Sequence, residues 1–212
     1  MSIDIEWFNR KLNDNLPLIL ASASPRRREL LEQLNLKFQI IPSNIKEHDM
    51  TGPPEKKART WAFLKADAIA KKFCGVILGA DTIVVLGKNI LGKPRDAEEA
   101  RQMLRQLSGN THSVITGLAL INTQTGCHIL ESVETRVTFR ILEEGEIDDY
   151  VASREPMDKA GAYGIQAQGA YFVKHLQGCY TNVVGLPVST FLKFLREILI
   201  RKKSNLFSDK CR

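Results

Sequence analysis

Apolar residues follow two spacings along this chain, and each spacing predicts one kind of element. Continuous or alternating apolar runs predict strands, whereas apolar residues three and four positions apart predict helices. The predicted strands are residues 18–20, 38–41, 76–80, 83–86, 114–121, 131–141 and 171–176. The predicted helices follow Ser24, cover residues 61–73, lie between Asp96 and Gly109, and cover residues 143–152 and 188–200. Because strands and helices interleave, we predict a mixed α/β fold.

One domain is predicted over residues 1–212, with a core at about residues 16–200 and a basic tail at residues 201–212. No internal repeat, low-complexity block or linker interrupts the apolar patterning. The proportions of 43% hydrophobic and 25% charged residues, with 14 Gly and 8 Pro, exclude collagenous and disordered classes.

The tail accounts for most of the net charge of +6, since it carries five basic residues and one acidic residue. A basic cluster can bind nucleic acid, but this one contains a single aromatic residue, Phe207, and is more typical of a solvated tail. Nucleic acid is therefore not the expected partner.

No apolar run approaches the ~20 residues that cross a bilayer. Residues 16–20, followed by Ala21-Ser22-Ala23, resemble the end of a signal peptide, but the apolar stretch is too short and the segment before it is net acidic. We predict a cytoplasmic protein without a membrane partner.

Three consecutive arginines, Arg26, Arg27 and Arg28, occupy the first turn of the helix predicted after Ser24. The helix dipole concentrates positive charge at this end, so their placement costs stability unless an anion lies nearby. Free backbone N–H groups at a helix start bind phosphate, and Ser22 adds a hydroxyl donor. The alternative is that the arginines face solvent or pair with nearby glutamates.

Asp81 interrupts two apolar runs, and an unpartnered carboxylate is costly to bury. We expect it at the end of a strand, facing a cleft. Lys93 follows a predicted hairpin around residues 87–89 and supplies an ammonium for the same region. An Asp that holds a divalent ion or accepts a proton from water, with cationic side chains on phosphates, suits attack on a phosphoanhydride. A structural salt bridge is the alternative.

Residues 158–166 combine small residues with Gln166, whose amide both donates and accepts hydrogen bonds. Small residues let a ligand approach the backbone, and a primary amide suits the edge of a nucleotide base. An ordinary turn is the alternative. The chain contains no GxxxxGK[ST], GxGxxG, HExxH or GxSxG motif, so the P-loop, Rossmann, zinc-protease and serine-hydrolase classes have no support.

Taken together, these segments resemble the Maf family of nucleoside triphosphate pyrophosphatases. The resemblance is carried by SASPRR at residues 22–27, GADT at 79–82, KPRD at 93–96, DKAGAYGIQ at 158–166 and NVVGLP at 182–187. It implies a fold similar to inosine triphosphate pyrophosphatase, with an elongated mixed sheet, flanking helices and two lobes around a nucleotide cleft. It also implies hydrolysis of a nucleoside triphosphate to the monophosphate and pyrophosphate with Mg²⁺ or Mn²⁺, and it is compatible with a homodimer.

The resemblance assigns roles to individual residues. Asp81 matches the catalytic acid and, with Glu47, the metal-binding positions. The substrate positions are matched by Ser22, Arg26, Lys65, Thr82, Lys93 and Gln166.

The resemblance to the branch that acts on dTTP and UTP rests on Arg26, Thr82 and Gln166, because the form of residues 162–166 is similar to that branch. The departure at Ala167-Gln168-Gly169, where relatives often place glycine directly after the glutamine, affects only the local turn. Two alternatives remain open at this stage: the same hydrolase selective for 7-methylguanosine triphosphate, or a non-catalytic module that binds nucleic acid or regulates division.

Overall fold

The computed structural model describes residues 4–46, 48 and 50–201. Glu47 and the predicted tail beyond Arg201 lie outside the described residues. The α-helices are α1 (Ile5–Lys11), α2 (Pro25–Gln33), α3 (Pro54–Ala70), α4 (Ala97–Leu107), α5 (Glu144–Ala152), α6 (Tyr180–Val184) and α7 (Val188–Ile200). Short 3-10 helices cover Glu155–Asp158, Ala160–Ala162 and Gln168–Phe172. The strands are β1 (Leu18–Leu20), β2 (Phe38–Ile40), β3 (Val76–Leu86), β4 (Asn89–Leu91), β5 (Thr111–Asn122), β6 (His128–Phe139) and β7 (Val173–Gln177).

The mixed α/β prediction is confirmed. Along the described part of the chain, the strands form a seven-stranded sheet in the order β2-β1-β3-β5-β6-β7, with β4 paired to β3. Strand β1 runs parallel to both β2 and β3. Strand β4 is antiparallel to β3, and β7 is antiparallel to β6, so the sheet is mixed.

The prediction of two separate strands at residues 76–80 and 83–86 is wrong. The segments predicted as two strands form one continuous strand, so Asp81 lies in the middle of β3 and not at a strand end. The reason is that the backbone can remain extended through a buried carboxylate when a cation from another element compensates its charge.

The described residues divide into two compact units. The first contains the chain up to Asp81, Gly117–Ser132 and the chain from Gly185 onward. The second contains Thr82–Thr116 and Val133–Val184. The boundary therefore falls within β3, and the single domain predicted over residues 1–212 stays a prediction.

Helix α3 packs very closely against the sheet in the first unit. Its face toward the sheet carries Ala58, Ala62 and Ala66, all fully buried and four residues apart, as one side of a helix requires. Opposite them lie Gly79 of β3 and Gly117 of β5. A Cβ added at Gly79 would lie 2.1 Å from the Ala62 carbonyl oxygen, and one at Gly117 would lie 2.1 Å from that of Ala58. Only glycine permits this approach.

The core of the second unit contains a cluster of aromatic rings. The Phe139 ring lies 4.7 Å from that of Tyr163 and 5.8 Å from that of Phe172. Tyr150 meets Phe172 edge-on at 4.9 Å. These contacts place α5 and the segment that precedes β7 around the end of β6.

Among the described residues, no helix combines the length and the apolar character that crossing a membrane requires.

Candidate active site

Asp81 forms a close ion pair with Lys65 in the first unit. Lys65 Nζ lies 2.6 Å from Asp81 Oδ1, and the two side chains are only 13% and 10% exposed. The packing of α3 explains the contact. Gly79 and Asp81 lie on the same face of β3, and the approach of Ala66 to Gly79 brings the adjacent Lys65 over the carboxylate. The salt bridge that the sequence left as the alternative for Asp81 is therefore present, and Lys65 is the cation that contacts the acid.

Ser22 is held in place by Arg27. Arg27 Nη1 donates to Ser22 Oγ at 3.0 Å, and the Ser24 backbone N–H also donates to this oxygen at 3.3 Å. Because Ser22 Oγ accepts twice, its own proton points elsewhere and can be donated to an anion. Arg27 Nε donates to the Gly185 carbonyl at 2.8 Å, so α2 is tied to the segment that precedes α7.

The three consecutive arginines have different surroundings. Arg27 is buried among protein acceptors, and Arg28 is half-exposed with its guanidinium 3.5 Å from Glu32. The alternative of a glutamate partner is thus correct for Arg28. Arg26 is partly exposed in the first turn of α2, which contains no acidic residue. Arg26 is the member of the cluster that the family resemblance assigns to the substrate.

Thr82 begins the second unit and is oriented by a chain of hydroxyl groups. Thr116 Oγ1 donates to the Asn182 carbonyl at 3.0 Å and lies 3.0 Å from Thr82 Oγ1. Since Thr116 has a single hydroxyl proton, Thr82 donates in the second bond. Asn182 is fully buried, and its amide donates to the Val114 carbonyl and to Thr135 Oγ1, each at 3.0 Å. Residues 182–187 therefore support candidate residues in each unit. Asn182 supports Thr82 through Thr116 in the second unit, and Gly185 holds Arg27 in the first.

Lys93 and Gln166 are the exposed candidates of the second unit. Lys93 follows the hairpin of β3 and β4, as predicted. The Gly161 N–H donates to the Gly92 carbonyl at 3.0 Å, so the segment that carries Gln166 is attached to the residue before Lys93. A Cβ at Gly161 would lie 3.0 Å from the Val84 side chain, so the same segment packs closely on β3.

His112 is a buried residue that the sequence analysis did not single out. Its Nε2 lies 2.8 Å from the Tyr163 hydroxyl, and its ring meets Phe139 edge-on at 5.0 Å. Burial lowers the pKa of His112 to about 4, because the charged ring would lose its hydration. The ring is therefore neutral at physiological pH and acts as part of the aromatic core.

Two further residues escaped the sequence analysis because nothing in their local pattern marks them. Tyr150 looks like an apolar position of α5, and Glu155 looks like a surface acid after it. In the structure the Tyr150 hydroxyl donates to Glu155 Oε1 at 2.9 Å, beside the segment that carries Gln166.

The mixed α/β fold, the buried carboxylate with its ammonium partner and the arginine-rich start of α2 define a class of proteins equipped to handle phosphorylated ligands. Comparison with known families narrows this class. The model of the Maf-like protein family matches residues 17–198. The chain belongs to this family.

Named relatives match most of the chain. The dTTP/UTP pyrophosphatase of Ruminiclostridium cellulolyticum is 46% identical over 184 residues, covering 85% of this chain and 95% of that protein. The dTTP/UTP pyrophosphatase of Geobacillus sp. is 50% identical over 184 residues, covering 85% and 97%. The solved structure of the Staphylococcus aureus Ham1 protein covers 86% of this chain and 99% of that chain with a TM-score of 0.49 and 14% identity. A structural likeness at that level carries no conclusion about this chain.

Proposed function

We propose that this protein hydrolyses dTTP and UTP to the monophosphate and pyrophosphate. Two findings support this reaction. The chain belongs to the Maf-like family, and relatives named dTTP/UTP pyrophosphatase are 46% and 50% identical to it. The observation that carries the catalytic assignment is the buried pair of Asp81 and Lys65, because hydrolysis requires a carboxylate that can orient water and a cation that neutralises phosphate charge.

Asp81 is the proposed catalytic residue, and it accepts a proton from the attacking water or orients that water. Lys65 contacts Asp81 Oδ1, so its ammonium can serve both the carboxylate and a phosphate oxygen. Ser22 contributes the hydroxyl proton that its two donors leave available. Arg26 and Lys93 complete the proposed phosphate contacts with positive charge.

A divalent ion, Mg²⁺ or Mn²⁺, is the proposed cofactor. Mg²⁺ is usually bound by one or two carboxylates together with substrate phosphates and water. Among the described residues no three His, Cys, Asp or Glu side chains cluster as a metal site. Asp81 is the described carboxylate that would hold such an ion. Glu47, outside the described residues, is the second ligand that the resemblance implies. When bound, the ion neutralises phosphate charge and activates water.

Gln166 and Thr82 are the proposed specificity residues. Uracil and thymine present two acceptors flanking one N–H donor, and a primary amide can satisfy part of that edge. A site built to hydrogen-bond one base edge rejects a base that leaves the site's polar groups unpaired.

The Asp81→Asn variant tests the catalytic assignment. We expect pyrophosphate release from UTP and dTTP to fall at least about 100-fold, because asparagine cannot accept the proton. Release should be measured with Mg²⁺ and with Mn²⁺. The matched control is Asp67→Asn, which removes a carboxylate of α3 that pairs with Lys71 at the surface. Wild-type turnover by Asp81→Asn, or equal losses in both variants, would contradict the assignment.

The Gln166→Ala variant tests the choice of base. We expect kcat/KM for UTP and dTTP to fall about 10- to 100-fold, corresponding to one or two lost hydrogen bonds, while hydrolysis of 7-methylguanosine triphosphate does not fall. Gln106→Ala, at an exposed position of α4, is the control. Faster hydrolysis of 7-methylguanosine triphosphate than of UTP by the wild type would favour the purine alternative. If the wild type hydrolyses neither, the non-catalytic alternative gains support.

A further inference from the structure

The segment at residues 164–169, which we call the Gln166 loop, is closed by two side chains from outside it. The Gly164 N–H donates to the Tyr150 hydroxyl at 3.1 Å. The Gln168 N–H donates to Glu155 Oε2 at 3.3 Å. Tyr150 in turn donates to Glu155 Oε1 at 2.9 Å, so the two anchors are joined. The backbone is thus held two residues before and two residues after Gln166.

The loop is closely packed at Gly169. A Cβ at Gly169 would lie 2.5 Å from the Gly164 carbonyl oxygen and 2.9 Å from the Tyr150 hydroxyl. A Cβ at Gly164 would lie 2.7 Å from the Lys159 side chain. Gly169 therefore lets the two ends of the loop meet beside the Tyr150 hydroxyl, whereas the close neighbour of Gly164 is the flexible end of a lysine side chain.

Tyr150 is suited to act as a permanent anchor. Its residue is 3% exposed, and it is fixed by α5 and by its edge-on contact with Phe172. Burial raises the pKa of the Tyr150 hydroxyl above its ordinary value, so it remains a donor to Glu155 at neutral pH. The Gln166 side chain is exposed, so its direction is set mainly by the anchored backbone of the loop.

We propose that Tyr150 and Glu155 are positioning residues that hold the Gln166 loop in the conformation that recognises the pyrimidine base. This inference rests on the proposed function, since it assigns the anchors to recognition of the base of the proposed substrate. A pre-organised amide avoids the entropy cost of ordering the loop when the nucleotide binds. Contact with the base contributes equally before and during phosphoanhydride cleavage, so its loss should raise KM and leave kcat unchanged.

The Tyr150→Phe variant removes one hydroxyl and keeps the ring in the core. We expect KM for UTP and dTTP to rise about 3- to 10-fold, corresponding to the loss of one hydrogen-bonded anchor. We expect kcat to remain within about twofold of wild type. The matched control is Tyr171→Phe, because Tyr171 is 78% exposed and lies outside the Gln166 loop.

Combining variants tests whether the anchors act through Gln166. Adding Tyr150→Phe to Gln166→Ala should change KM by less than about twofold, because residues that act through one another are not additive. Glu155→Gln should reproduce the Tyr150→Phe effect, since an amide has one accepting oxygen and Glu155 accepts from two donors, the Tyr150 hydroxyl and the Gln168 N–H. Additive effects of Tyr150→Phe and Gln166→Ala would overturn the proposal.

Hydrogen exchange separates this proposal from the proposed function. Faster exchange of the Gly164 and Gln168 amides in Tyr150→Phe, with the rest of the chain unchanged, is the expected result. If wild type fails to hydrolyse UTP, the proposed function is wrong, and UTP affinity by calorimetry replaces KM as the readout for the anchors. Unchanged exchange, or a lower Tm with unchanged KM or affinity, overturns the positioning role.

Discussion

Identical side chains in neighbouring positions acquire different roles from their surroundings, as Arg26, Arg27 and Arg28 demonstrate. The sequence predicts an anion site or a glutamate partner for all three alike. The buried Arg27 instead links Ser22 to the Gly185 carbonyl, 158 residues further along the chain. Its planar guanidinium reaches both acceptors at once, which a lysine ammonium at the same place cannot do.

Replacement of Arg27 by lysine therefore tests a structural role at the residue scale. We expect Arg27→Lys to lower the free energy of unfolding by about 2–4 kcal/mol, because hydrogen bonds from a charged donor are lost and acceptors remain buried. Urea denaturation measures this change. The control Arg28→Lys, at a half-exposed position paired with Glu32, should stay within about 0.5 kcal/mol of wild type. Equal effects of the two substitutions would refute the distinction.

Helix α3 is the element on which the candidate site depends most. Its alanine face and the glycines of β3 and β5 bring backbone against backbone, and this approach places Lys65 on Asp81. The apolar spacing predicts the helix, but it does not show how closely the helix meets the sheet. The closeness depends on residues of other elements, namely Gly79 and Gly117.

One methyl group at Gly79 should disturb both the packing and the site. We expect Gly79→Ala to lower the free energy of unfolding by about 3 kcal/mol or more, because the new Cβ would overlap the Ala62 carbonyl oxygen. Pyrophosphate release should also fall as Lys65 moves away from Asp81. The control is Gly145→Ala in α5, where an added Cβ meets nothing within 4 Å. That change should be neutral or stabilise the protein by up to about 1 kcal/mol.

At the scale of the whole molecule, the buried, uncharged ring of His112 makes the free energy of unfolding depend on pH. The unfolded chain takes up a proton on this ring near the ordinary pKa of 6.5, whereas the folded protein does so only near a pKa of about 4. Between these values the unfolded state binds more protons, so acidification favours unfolding. The contribution is fully present above pH 6.5 and is lost as the pH falls toward 4.

Denaturation at several pH values measures this coupling. Between pH 7 and 4 we expect His112 to account for a loss of up to about 3 kcal/mol in the free energy of unfolding. The His112→Gln variant, although less stable at pH 7, should lack this part of the pH dependence. His175→Gln, at an exposed position of β7, should keep the wild-type slope. An unchanged slope in His112→Gln would show that other groups cause the dependence.

The nucleotide cleft, the homodimer and the cytoplasmic location stay predictions at this scale.

The sequence by itself determined what depends on near neighbours in the chain. The bounds predicted for the strand at residues 18–20 and the helix at residues 188–200 agree with β1 and α7, because apolar periodicity reports which face of a local element is buried. The sequence also showed that the Asp81 carboxylate lies between two apolar runs. The sequence did not show that β3 continues through Asp81, because its compensating cation comes from another element.

Tertiary structure alone decided which distant groups meet. Lys65 reaches Asp81 across a helix–sheet contact, Arg27 reaches Gly185 across most of the chain, and Tyr150 and Glu155 close the Gln166 loop. None of these contacts leaves a periodic mark in the sequence, because each is produced by the packing of whole elements. The direction of a side chain in the candidate site is therefore a property of the folded core that supports it.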